Sequence, residues 1–256
     1  MKEYTSAISR AIAIIDWISS CKDGSASVLE MASKLKIPRA SAYRIVNELS
    51  EWGVLEYDAM SKRYRLGPKV LHFARSFIQR NELIKIADPS MVKLRDSTNE
   101  TVSLNIPLGG ERICIHEIRS SNFLKWAIPP GTRAPLYPGA SGKCILAFMQ
   151  PDKAKAVLED HVLMSETGQT QLDADMIMRE LENVRLSGYC TSVEEVHTGA
   201  AAVAAPILNE EGYSVGCITL TAPLARWNEE IVSQLIPQTV ECATSVSNAM
   251  MYRQVE

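Results

Sequence analysis

The 256-residue chain has no C-x-x-C pair, no G-x-x-x-x-G-K-[ST] loop, no G-x-S-x-G elbow and no apolar run long enough to cross a membrane. Each absence removes a class of function. The six cysteines, at 21, 114, 144, 190, 217 and 242, several of them inside apolar runs, therefore read as reduced and mostly buried thiols of a cytosolic protein. Pro138-Gly-Ala-Ser-Gly-Lys143 resembles a phosphate loop, but the first glycine would fall at Tyr137 and Cys144 follows the lysine, so nucleotide hydrolysis is disfavoured. Ser141, His197 and Glu195 lack the elbow and the oxyanion loop of a hydrolase, so no catalytic residue is assigned and an enzyme is not expected. Cys114, His116, His161, Cys190 and His197 show no zinc-motif spacing, and neither a metal nor a cofactor is assigned. The apolar N-terminal stretch is interrupted by Arg10 and Asp16, which leaves no signal peptide or membrane span and a cytoplasmic location as the expectation.

The net charge of -3 hides an asymmetry: residues 1–80 carry 13 Lys+Arg against 8 Asp+Glu, and residues 81–256 carry 14 against 22. Only the front is basic, as expected if that end meets phosphate. There, Ile8, Ala11, Ile12, Ile15 and Ile18 mark one face of a first helix starting near Ser6. Ser27-Val-Leu-Glu30 is a capping box opening a second helix through Leu29, Ala32 and Leu35. After Lys36-Ile-Pro38, a third helix over 39–51 buries Ala42, Ile45, Val46 and Leu49 and turns Ala40, Tyr43, Arg44 and Asn47 outward. Two helices joined by a tight turn, the second basic in its first half, form a helix-turn-helix pattern whose base-reading candidates are Arg39, Ser41, Tyr43 and Arg44. Two strand-like runs, 54–57 and 63–66, flank a basic tip and read as a wing that brings Lys62 and Arg63 to phosphate. Taken singly, Tyr43 is equally a surface aromatic and Lys62 and Arg63 ordinary turn charges; the order of the four features carries the reading. Gly67-Pro68 then restarts the chain as an amphipathic helix through Val70, Leu71, Ala74, Phe77 and Ile78, suited to a dimer contact or to the body of its own subunit.

Ser6-Ala-Ile-Ser-Arg-Ala11, Leu29-Glu-Met-Ala32, Ile37-Pro-Arg-Ala-Ser-Ala-Tyr-Arg44, Trp52-Gly-Val-Leu55 and Tyr64-Arg-Leu-Gly67 resemble the winged-helix signature of the IclR family of bacterial transcriptional regulators. Pro135-Leu-Tyr-Pro-Gly-Ala-Ser-Gly-Lys143, Val184-Arg-Leu-Ser-Gly-Tyr189, Glu194-Glu-Val-His-Thr-Gly199, Val203-Ala-Ala-Pro206, Gly212, Pro223 and Arg226 continue that resemblance in order. Two departures stand out: Ala40 replaces the usual hydroxyl residue, and Pro237 interrupts the last helix, which predicts a kink or a broken start.

Strand-like runs at 100–107, 111–118, 189–193, 201–208 and 213–221 among helical runs at about 82–97, 141–149, 151–160, 173–187 and 228–252 make the rear an α+β domain. The resemblance implies a GAF-like effector-binding fold there, and a division into a winged helix-turn-helix (1–67), a linker helix (68–81) and a sensor (82–256). It also implies an effector pocket of Phe123, Trp126, Ala140, Ser141, Ser192, Ala202 and Thr219. The amides of the 138–143 turn suit a small organic acid, with Arg119, Lys125 and Arg133 near enough in sequence to neutralise a carboxylate. The 138–143 turn is equally a helix start needing tight backbone, and Phe123 and Trp126 are equally core. The implied partners are double-stranded operator DNA, an effector, and further copies of the chain as a dimer or tetramer. The rival reading is a metabolite-binding sensor or enzyme whose winged helix serves protein contact.

Overall fold

A computed structural model of the chain describes Tyr4, residues 6–159 and residues 174–253. It divides into two compact units, Met1–Arg80 and Asn81–Glu256.

The first unit holds α1 (Ala7–Ser20), β1 (Ser25–Ala26), α2 (Val28–Lys34), α3 (Arg39–Glu51), β2 (Leu55–Asp58), β3 (Arg63–Leu66) and α4 (Lys69–Arg80). The capping box expected at Ser27 and Glu30 is present: Glu30 N–H donates to Ser27 Oγ at 3.3 Å and Ser27 N–H donates to the Glu30 carboxylate at 2.7 Å. The three strands form an antiparallel sheet in the order β1-β3-β2. Ile14, Ile18, Met31, Val46 and Leu55 are fully enclosed at the centre of this core.

The inward faces of α1 and α2 differ from those read off the sequence. Ala13, Ile14 and Ile18 are the buried residues of α1, whereas Ile8 and Ile12 stay 77% and 55% exposed. In α2, Val28, Met31 and Ala32 go inward and Leu29 faces out. α1 is apolar almost all the way round, so spacing allows two stripes and only the position of α3 chooses between them. α4 buries none of its residues; Leu71, Phe73, Phe77 and Ile78 are all exposed.

The second unit is built on a six-stranded antiparallel sheet of order β6-β5-β4-β9-β8-β7. Its strands are β4 (Thr101–Leu108), β5 (Glu111–Ile118), β6 (Arg133–Pro135), β7 (Cys190–Val193), β8 (Ala200–Leu208) and β9 (Ser214–Pro223). Its helices are α5 (Glu82–Thr98), α6 (Gly139–Ala147), α7 (Pro151–Glu159), α8 (Ala174–Ser187) and α9 (Glu229–Arg253). The short β1 and β6 were not anticipated. The two sheet faces differ in kind. Val102, Leu104, Ile218 and Leu220 alternate along β4 and β9 on one face and join α5 and α9 in an apolar core. On the other face Ser103, Asn105, Cys217 and Thr219 are buried, and α6 lies over it.

α9 runs unbroken through Pro237. Leu235 on one side of the proline and Cys242, Ala243 and Val246 on the other are buried in the same core. That burial holds the helix together against the ~3 kcal/mol that an interior proline costs, so the expected break is absent.

Candidate functional site

On the first unit, α3 presents Arg39, Tyr43 and Arg44 to solvent, with Asn47 one turn further on. Ser41 is half-buried, and its hydroxyl accepts from Arg10 Nη1 at 3.3 Å, tying α3 to α1. Within the wing the rings of Tyr57 and Tyr64 pack 4.9 Å apart between centroids, and the wing is tied to α3 by Tyr64 Oη, which donates to Asn47 Oδ1 at 3.3 Å. Burial, then the neighbouring Tyr57 and Tyr43, push the Tyr64 phenol above its usual range, so it stays a neutral donor at neutral pH. At the tip, the Asp58 carboxylate accepts from Ser61 Oγ at 2.7 Å and Met60 N–H at 2.9 Å. Those two bonds, the hydroxyl first, hold Asp58 below the usual carboxylate range.

Lys62 is exposed at this tip with a left-handed backbone. Arg63 is placed differently from the sequence expectation. It begins β3, where its guanidinium donates to Ser25 Oγ and Ser25 O, both at 3.0 Å, and bridges to Glu30 at 3.1 Å. It thus fastens the wing to β1 and to the cap of α2, and is not a tip cation held out to phosphate. The spatial neighbours Ser25 and Glu30, 38 and 33 residues away, leave no local signal of this.

In the second unit, α6 is buried along its entire length from Gly139 to Ala147. The chain enters it through Gly139 at φ +75°, where an added Cβ would stand 2.6 Å from Val196 Cγ2. Gly142 is as tightly held, a Cβ there falling 2.7 Å from the Leu136 carbonyl oxygen. Glycine is therefore needed for close approach of backbone, and that approach seats the helix start beside a cavity of about 100 Å³. Ala140, Ser141, Ser192, Ala202 and Thr219 all line it.

The other two expected residues do not. Phe123 is fully exposed. Its segment is pinned through backbone and amide contacts, Asn99 Nδ2 to Asn122 Oδ1 at 2.9 Å and Arg226 Nη2 to Leu124 O at 3.1 Å, and that path leaves the phenyl ring outside. Trp126 is half-buried and does not line the cavity; its ring stacks at 5.4 Å on His197, which does, while Nε1 donates to Gly199 O at 3.2 Å.

The α6 amides are also used differently. Gly139 N–H donates to Glu195 Oε2 and Ala140 N–H to Ser192 Oγ, both at 3.0 Å, so the chain caps this helix with its own side chains. Glu195 reaches in addition to Lys143 Nζ at 2.8 Å, and Glu180 joins at 2.9 Å. Burial pulls the Lys143 ammonium down and the two carboxylates, Glu195 ahead of Glu180, more than reverse this, so its pKa stands above the usual lysine value. Ser141, Glu195 and His197 do share the cavity, but Glu195 turns to Lys143 and His197 to Trp126, which is not the relay a nucleophilic serine needs.

Sequence reasoning missed Ser103, Asn105 and Arg112, which form the polar wall opposite α6. The signal was there in part: Ser103 and Asn105 alternate with Val102 and Leu104, a period-2 pattern with a polar inner face. Of the suggested neutralising residues, Arg133 is at the cavity but pairs with Glu111, and Arg119 pairs with Glu117; Lys125 is exposed and does not line the cavity. His116 bonds Asp88 at 2.7 Å, and Cys114 donates to the Ile128 carbonyl at 3.1 Å. His161 lies outside the described residues, among which no three His, Cys, Asp or Glu side chains converge as a metal site. No described helix is long and apolar enough to cross a membrane.

Comparison with known proteins agrees with this arrangement in both units. The IclR helix-turn-helix domain matches residues 7–59, and the bacterial transcriptional regulator IclR C-terminal domain matches residues 75–248. The HTH-type transcriptional regulator KipR of Bacillus subtilis is 30% identical over 89% of this chain and 91% of its own length. The HTH-type transcriptional repressor AllR of Escherichia coli K12 is 26% identical over 89% of this chain and 84% of its own. Among solved structures, an IclR transcriptional regulator from Alicyclobacillus acidocaldarius superposes with a TM-score of 0.82 at 24% identity, covering 94% of this chain and 97% of that one. An IclR homolog from Microbacterium hydrocarbonoxydans, complexed with 4-hydroxybenzoate, gives 0.72 at 21% identity over 95% and 98%. With both domains matched in order, the helix-turn-helix in the first unit and the C-terminal domain in the second, the chain belongs to the IclR family of bacterial transcriptional regulators.

Proposed function

We propose that this regulator binds operator DNA through Arg39, Tyr43, Arg44 and Lys62, and that a small organic acid held in the α6 cavity sets its operator affinity. The observation that carries the effector reading is the convergence of Ala140, Ser141, Ser192, Ala202 and Thr219, from four separate segments, on one cavity. The 4-hydroxybenzoate bound by the Microbacterium hydrocarbonoxydans homolog, itself a carboxylate, supports the ligand class. The name of AllR supports repression as the outcome. The protein acts in the cytoplasm as a dimer or tetramer. The exposed Ile8 and Ile12 on α1 and Leu71, Phe73, Phe77 and Ile78 on α4 are the apolar surface that self-association would cover. Paired winged helices then meet a near-palindromic operator, and effector binding changes how the pair is held.

The test is a thermal-shift screen of the full chain against small carboxylates, run on the parent and on Ser141→Trp. An acid that stabilises the parent and not the variant places the effector at α6. Equal stabilisation of both overturns that placement.

A further inference from the structure

Arg112 projects from β5 into the cavity wall at 7% exposure. Its Nη1 donates to Asn105 Oδ1 at 3.3 Å, and the Asn105 amide donates in turn to Ser103 Oγ at 3.1 Å and Thr219 Oγ1 at 3.2 Å. The carboxamide is thereby fixed with its oxygen toward the guanidinium. The ladder between β4 and β5 shifts register at Leu104/Asn105, a bulge in this wall of the kind that re-aims side chains near binding sites. Across the cavity, the first two amides of α6 are engaged by Glu195 and Ser192, and Glu195 is itself held by Lys143. An anion arriving at α6 would therefore have to displace a resident carboxylate; the β4–β5 wall brings to the same cavity a buried guanidinium, the charge a carboxylate needs.

We propose that Arg112 is the anchor for the effector's carboxylate, with Asn105 the residue that positions the guanidinium. The effector therefore lies with its acid group on the sheet and its other end toward Ser141. This rests on the reading of the α6 cavity as the effector site, and it moves the charge recognition from the helix amides to the sheet. A planar guanidinium matches a carboxylate in a paired geometry that a lysine or a lone amide does not provide, and it keeps its charge at any pH of interest. The cavity of about 100 Å³ is small, and small acids are the ones to try first.

The test is a calorimetric titration of the full chain with acetate, lactate, pyruvate and succinate, and with acetamide and lactamide as uncharged counterparts. The parent is expected to bind at least one acid roughly tenfold or more tightly than its amide, and Arg112→Gln to erase that preference. Arg112→Lys is expected to keep the preference for the acid at reduced affinity. Asn105→Ala is expected to weaken acid binding while keeping the acid-over-amide ratio above one, which loss of the fold would not do. An Arg112→Gln protein that still prefers the acid as the parent does, while Ser141→Trp blocks binding, overturns the anchor and leaves the effector site standing. If no acid of the series binds the parent, the anchor and the carboxylate class fall together. Should Arg112→Gln fail to unfold cooperatively, Arg112→Lys decides, and parental affinity in that variant overturns the proposal.

Discussion

Gly139→Ala isolates what holds the cavity rim. The substitution forces an L side chain into φ +75°, which costs roughly 1–2 kcal/mol. It also sets a methyl 2.6 Å from Val196 Cγ2, and relief of such overpacking adds about 1 kcal/mol or more. The sum of about 2–4 kcal/mol corresponds to a melting-temperature loss of roughly 5–12 °C for a unit of this size. The displaced Val196 adjoins Glu195, whose carboxylate accepts from the Gly139 amide, so effector affinity is expected to fall as well. Differential scanning calorimetry of Gly139→Ala, Val196→Ala and the double variant separates the terms. In the double variant the methyl clash is gone, and the cycle is expected to return about 1 kcal/mol of coupling while the backbone share persists. A melting temperature within a degree of the parent for Gly139→Ala would refute both the strain and the contact.

Arg39→Ala and Arg44→Ala are each expected to cost about 1–3 kcal/mol of operator affinity in gel-shift titrations, with thermal stability unchanged. Lys62→Ala should weaken binding to every sequence and reduce the salt slope by about one phosphate contact, whereas Arg63→Ala should first lower the stability of the winged helix, seen as an earlier unfolding transition. Burial pushes Cys114, Cys190 and Cys242 up to about 12 and Cys217 up to about 11, and raises the enclosed Cys144 as well. Alkylation of the native protein at pH 8, read by mass spectrometry, should therefore be confined to the half-buried Cys21. These thiols stay protonated in the folded chain but would ionise in the unfolded one above about pH 8.5, so stability should decline as pH rises from there toward 12.

What the sequence made legible was local or periodic. The Ser27–Glu30 cap, the outward residues of α3 and the period-2 strands β4, β5, β8 and β9 all follow from neighbours within a few residues. The α6 cavity residues came through the family resemblance, because its ordered motifs fix which strand and loop positions meet. The remainder depended on partners far away in the chain. Arg63 looks like a wing cation until Ser25 and Glu30 are brought beside it. Phe123 looks like a pocket wall until the Asn99–Asn122 contact sets its loop. Arg112 is one charge among many in the sequence, and only the pairing of β5 with β4 sets it against Asn105. The two apolar stripes of α1 could not be ranked by spacing, and the two- and three-residue strands β1 and β6 are too short to carry a period.

The central claim, that a small acid in the α6 cavity controls DNA affinity from a separate unit, is tested most directly by an operator titration with and without the acid that the thermal-shift screen selects. The expected result is a shift in operator affinity of the parent with acid, and an acid-independent affinity equal to the ligand-free parent in Ser141→Trp. If the variant responds to the acid as the parent does, the cavity is not the effector site.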